Sequence, residues 1–188
     1  MPTYTVWLFF ESSSYLKYSI TENAIWLIYL FVFLNTALLP LLTILFLYKM
    51  KQIKSLHLHS QSDRVLPVIA AVIYYGFTYY LLQSIHLPNA LLALIEGAIY
   101  AIISALIITK YFKISLHTTA IGGVCGGFWA ISLFYENASF SLLALLPFAV
   151  GIVASARLLL QAHNSRQVYA GAVIGFILVF FTILFRIG

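Results

Sequence analysis

Apolar and polar positions along this chain separate into long blocks instead of alternating. Six apolar runs cover about 24–48, 66–83, 90–109, 118–135, 140–160 and 168–185. Each is near the roughly 20 residues that a helix needs to cross a hydrocarbon layer of about 30 Å. A membrane barrel would show alternation, so the blocks predict helices. The expected fold class is all-α, a polytopic membrane bundle of six transmembrane helices over residues 24–188. A short N-terminal segment, 1–23, precedes it. Residues 3–10 of that segment are apolar and aromatic but too short to span. They predict an interfacial anchor or part of a helix.

Prolines and glycines refine the runs. Pro40 predicts a kink in the first, because its ring removes a backbone donor. Pro67 falls in the first turn of the second, where proline is tolerated. Gly122-Gly123-Val124-Cys125-Gly126-Gly127 holds two interleaved small-xxx-small pairs, and Gly171 with Gly175 holds another. Such spacings let a second helix backbone approach closely. These glycine-rich faces are the expected sites of homo- or hetero-oligomer contact.

Composition agrees with a membrane solvent. Of 188 residues 63% are hydrophobic and 8% charged, where a soluble domain carries about 25% charged residues. The net charge of +5 sits in connecting segments and predicts no nucleic-acid partner. A single cysteine, Cys125, excludes a disulfide within the chain. The first ten residues lack a basic region and no small-residue cleavage site follows, so no cleavable signal peptide is expected. The expected location is an inner (cytoplasmic) bacterial membrane, crossed several times.

Six crossings put the first, third and fifth connections on one membrane face. Those connections and their helix ends carry Lys49, Lys51, Lys54, Arg64, Lys110, Lys113, Arg157 and Arg166, eight of the ten Lys and Arg residues. His57, His59, His117 and His163 share that face. The positive-inside rule accounts for the lysines and predicts that this face is cytoplasmic, with the N-terminus outside. It does not account for Ser115 and His117 opening a helix, or for Arg157 standing six residues before His163. An anion site does. Arginine forks and lysine point charges bind phosphate oxygens, and helix N-termini add backbone donors.

The remaining polar groups carry weaker signals. His57 and His59 form a metal pair with no third ligand nearby, so no metal centre is expected. Glu96, the only acid inside a run, is expected to hydrogen-bond to another helix, with Asn35 as the candidate partner. Asn137-Ala138-Ser139 matches a glycosylation sequon, a pattern of low specificity.

Three polar segments together resemble the type 2 phosphatidic acid phosphatase family, the integral-membrane relatives of the vanadium haloperoxidases. That family carries a lysine, six residues, then Arg-Pro; a Pro-Ser-Gly-His; and a Ser-Arg, five residues, His, three residues, Asp. The third motif is similar to Ala156-Arg157, five residues, His163, three residues, Gln167, and the likeness extends into Val168-Tyr169-Ala170-Gly171. The second is similar to Ile114-Ser115-Leu116-His117. The first is similar to His57, six residues, Arg64, with the proline delayed to Pro67. The resemblance runs from about residue 36 to the C-terminus.

The resemblance implies a lipid phosphatase, a hydrolase acting on a phosphate monoester or pyrophosphate of a lipid in the bilayer without metal or cofactor. His163 would be the nucleophile and His117 the general acid and base. Arg64, Arg157 and Ser115 would hold the phosphoryl oxygens, with Lys113 and His57 beside them. Gln167 stands where the family has an aspartate that orients the nucleophile. An amide accepts a hydrogen bond but brings no charge. In the serine-protease triad, replacing the comparable aspartate by its amide costs about 10⁴ in rate. The alternative is therefore an impaired relative that binds a lipid head group or serves as a small subunit of a membrane complex.

Overall fold

A computed structural model of the chain describes residues 2–12, 20–56, 61–134 and 140–188. Among these residues the regular elements are all helical. In order they are α1 (Pro2–Ser12), α2 (Glu22–Lys49), α3 (Gln61–Ser84), α4 (Asn89–Thr109), α5 (Leu116–Ser132), α6 (Phe140–Leu159) and α7 (Ser165–Ile187). Five of them, α2, α3, α4, α6 and α7, are long and apolar enough to cross a membrane. The protein is a multi-pass integral membrane protein.

The core forms around α4, α5 and α7. Leu91, Ile95, Phe128, Val179 and Ile183 are buried there. α6 is peripheral and buries only Leu146, while Leu145, Phe148 and Ile152 face outward. A helix satisfies its own backbone in hydrocarbon, and threonines do the same for their hydroxyls. Thr36, Thr78 and Thr182 each donate to the carbonyl four residues back, at 2.7, 2.8 and 2.7 Å.

α5 is the short member of the core. Its 17 residues extend about 26 Å at a rise of ~1.5 Å per residue. It lies parallel to α7. At one end the Ser115 N–H donates to the Gln167 carbonyl at 3.3 Å, and at the other Phe134 lies beside Gly188. Small residues make this pairing possible. A β-carbon at Gly122, Gly126 or Gly175 would overlap the backbone of Ala172, Phe176 or Thr119 respectively. The glycine-rich faces expected to make oligomer contacts thus meet each other within one chain and are covered there.

Three sequence expectations change at the level of single helices. α1 does not lie free of the bundle: Val6, Phe9 and Phe10 are wholly buried against α2 and α4 while Tyr4 and Trp7 stay exposed, and Phe10 meets Tyr29 edge-on at 5.8 Å. The disturbance expected at Pro40 takes the form of a π-helical turn over Leu34–Leu38, where the Leu39 N–H reaches the Leu34 carbonyl. α3 begins at Gln61, five residues before the apolar run, so Arg64 stands on a helix and Pro67 lies inside it. The proline is tolerated because it forfeits one bond near the helix start.

Asn35 donates to the Phe31 carbonyl on its own helix at 2.9 Å and is not the partner of Glu96. Glu96 instead accepts from Arg186 Nη1 at 2.6 Å and from the Tyr100 hydroxyl at 2.8 Å, while Arg186 stands over the Tyr79 ring at 5.5 Å. A carboxylate in an apolar medium is compensated better by a cation than by an amide.

Candidate functional site

The connection between α6 and α7 is two helix caps placed back to back. α6 closes with the Gln161 N–H on the Leu158 carbonyl at 2.9 Å and the Ala162 N–H on the Arg157 carbonyl at 3.2 Å. This is a Schellman turn, and Gln161 takes its left-handed position at φ 51°. α7 then opens with a reciprocal capping box. Asn164 Oδ1 accepts the Gln167 N–H at 3.0 Å, and Gln167 Oε1 accepts the Asn164 N–H at 3.3 Å. His163 stands between the caps, 8% exposed. The tight turn brings His163 back beside Arg157 at the end of α6.

The capping box also decides the chemistry of the ring. His163 Nδ1 lies 3.0 Å from Gln167 Oε1. The Asn164 N–H requires an oxygen at that position, so the amide oxygen faces the imidazole, and Nδ1 carries the hydrogen. Nε2 then keeps its lone pair. Burial holds the His163 pKa below the usual histidine value; the bond to Gln167 raises it in part, and Arg64, Lys113 and Arg157 lower it further. The ring is neutral at pH 7, with its free nitrogen available.

A second cap positions α5. Ser115 Oγ accepts the Thr118 N–H at 3.5 Å. The Ser115 carbonyl takes the Thr119 N–H and the hydroxyls of Thr118 and Thr119, each at 3.0 Å. Ser115 is 0% exposed. Its oxygen caps the helix start and is enclosed, while the hydroxyl hydrogen remains a donor. His117 follows in the first turn on the exposed side. Because α5 and α7 start side by side, the positive ends of two helix dipoles add at this face.

Two guanidiniums complete the cluster. Arg64 comes from α3 and Arg157 from α6, and they act on each other as like charges. Both also act on His117 and on His163. Arg64 is buried, as is the neighbouring Asp63. Arg157 Nε is buried and makes no hydrogen bond among the described residues. Gathering like charges in a low-dielectric setting is unfavourable. Lys113, half-buried, adds its charge to the field at His163.

Of the residues singled out in the sequence, Arg64, Lys113, His117, Arg157, His163 and Gln167 come together. Ser115 is adjacent but enclosed. His57, like His59 and the Asn137 sequon, lies outside the described residues. Among the described residues no group of three His, Cys, Asp or Glu side chains is arranged to hold a metal. Asn164 is a site residue that motif spacing passed over. Its signal was present, since an asparagine followed three residues later by glutamine is a helix-start pattern.

Comparison with protein-family models, curated proteins and solved structures finds no match for the chain.

Proposed function

We propose that the protein is a lipid phosphatase-like membrane protein, a relative of the type 2 phosphatidic acid phosphatases. It binds the phosphate or pyrophosphate of a lipid at the basic end of its bundle. The observation that carries this reading is the convergence of Arg64 and Arg157 on two imidazoles, His117 and His163, the latter with Nε2 free. In this reading α5 is a sixth crossing and the site lies on the cytoplasmic face, where the positive-inside rule puts its lysines.

The chemistry follows from the placement. His163 Nε2 attacks phosphorus, a P–N bond forms, and the P–O bond to the lipid breaks. His117, protonated once the phosphate charge lies beside it, gives its proton to the departing oxygen. Neutral His117 then takes a proton from a water whose oxygen attacks phosphorus. The P–N bond breaks and inorganic phosphate leaves. Arg64, Arg157 and Lys113 hold the non-bridging oxygens as charge shifts among them. Gln167 is a positioning residue. Purified protein is expected to release phosphate from phosphatidic acid, and His163→Ala to abolish the release. Equal release by that variant overturns the reading.

One observation favours a second reading. The acceptor on His163 is an amide, which cannot balance the positive charge the ring acquires as it is phosphorylated. In that reading the site binds a lipid phosphate without turning it over. Gln167→Asp separates the two: a large rise in turnover marks the native chain as a binder, and unchanged turnover marks the amide as sufficient.

A further inference from the structure

Toward the basic end the bundle holds a partly open apolar chamber of about 280 Å³. No charged residue lines it. It exists because small side chains face it from three helices, Ala71 on α3, Ala98 on α4 and Ala120 on α5. Val68 and Leu116 line both this chamber and a second void of about 250 Å³ that reaches Arg64 and Lys110. Val68 is one turn beyond Arg64, and Leu116 stands between Ser115 and His117. The apolar chamber and the void beside Arg64 therefore adjoin, with Val68 and Leu116 as their shared wall.

Helix bundles are close-packed and leave few voids larger than a water. An apolar lining gives water too few partners to fill this one. The occupant that fits is hydrocarbon from the membrane, carried by a molecule whose other end is an anion. We propose that the chamber receives one alkyl chain of the phosphorylated lipid whose head group sits at Arg64 and Arg157. This rests on the phosphate site proposed above. If a methylene takes about the ~30 Å³ of a water, the chamber holds on the order of ten of them. It admits a single chain, and the protein selects its ligand by that chain as well as by its phosphate.

The test uses the full chain in phosphatidylcholine nanodiscs, titrated with butyl phosphate and with dodecyl phosphate and followed by phosphorus NMR. The wild type is expected to bind dodecyl phosphate more tightly by about tenfold or more. Ala98→Leu and, on a different helix, Ala71→Leu fill the chamber. Each is expected to remove most of that advantage and to leave butyl phosphate binding unchanged. Partition of the longer chain into the bilayer is the same for every variant, so the difference reads the chamber. Arg157→Gln weakens both ligands alike. If dodecyl phosphate keeps its full advantage in both filled variants, the chamber is not the chain site, while the head-group reading stands. If neither phosphate binds the wild type, the head-group reading fails and the chain site with it.

Discussion

Gln167 Oε1 accepts the Nδ1–H of His163 at 3.0 Å while also accepting the Asn164 N–H at 3.3 Å. One side-chain oxygen therefore closes the first turn of α7 and sets the tautomer of the histidine. The amide is a weak substitute for a carboxylate in charge. It is a strong one in orientation, because a backbone donor holds it in place.

Gln167→Glu keeps both bonds and adds a negative charge. The pKa of His163 is expected to rise by about 1–3 pH units, which nitrogen NMR of the labelled ring reads directly. Gln167→Met removes the acceptor. That variant should lose about 1 kcal/mol of stability through the broken cap and populate both ring tautomers. A single unchanged tautomer in it would show that something other than Gln167 orients His163.

The burial of His163 has a pH signature. Its folded pKa lies below the ordinary 6.5, so the unfolded chain takes up the proton first. Stability is complete above pH 6.5 and is lost as pH falls from there toward the folded value. Thermal unfolding of the detergent-solubilised protein should shift to lower temperature across that interval. His163→Gln should flatten the profile. A bound phosphate reverses the effect, because its charge favours the imidazolium and proton uptake then accompanies binding.

The pairing of α5 with α7 predicts sharp glycine sensitivity. At Gly175 a β-carbon would overlap the Thr119 carbonyl, so Gly175→Ala is expected to cost about 1–3 kcal/mol. It should also disturb the His163 resonance, since the same helix pair carries Ser115 and Gln167. At Gly76 and Gly151 an added β-carbon meets nothing within 4 Å. Alanine there should stabilise the helix by about 0.5–1 kcal/mol. Melting curves of the three variants in one detergent make the comparison.

Glu96 and Arg186 pair at 2.6 Å between α4 and α7. Removing one partner leaves a charge without its complement in the bundle, so the double substitution of Glu96→Leu with Arg186→Leu should cost less than the sum of the two single substitutions. The coupling in a double-mutant cycle is expected at about 0.5–3 kcal/mol. Additive single costs would mean that Tyr79 and Tyr100 satisfy the two charges by themselves.

Much of this was legible along the chain because its causes are local. Hydrocarbon length marks a crossing, small residues four apart mark a close helix contact, and charge sorts connections by membrane face. What escaped were relationships across space. Glu96 finds Arg186 ninety positions away, and nothing in either neighbourhood announces it. Ser115 read as a ligand because the motif contains a serine, and the motif does not announce that its oxygen also caps the start of α5. Arg64 read as a loop residue because its segment is polar, yet α3 extends upstream of its apolar run.

From the sequence by itself came the solvent, the helices, the helix-to-helix glycine contacts as a capability, and the gathering of basic residues into the connections between apolar runs. These depend on composition and spacing, which the chain carries in one dimension. Only the tertiary structure decided that the glycine faces of α5 and α7 meet each other and that Arg64 and Arg157 converge on two histidines. It alone decided that Gln167 turns its oxygen to His163, and that small residues on three helices leave a chamber toward the basic end. Each is a matter of which surfaces face one another, settled by packing parallel helices at backbone contact and not by any residue's own preference.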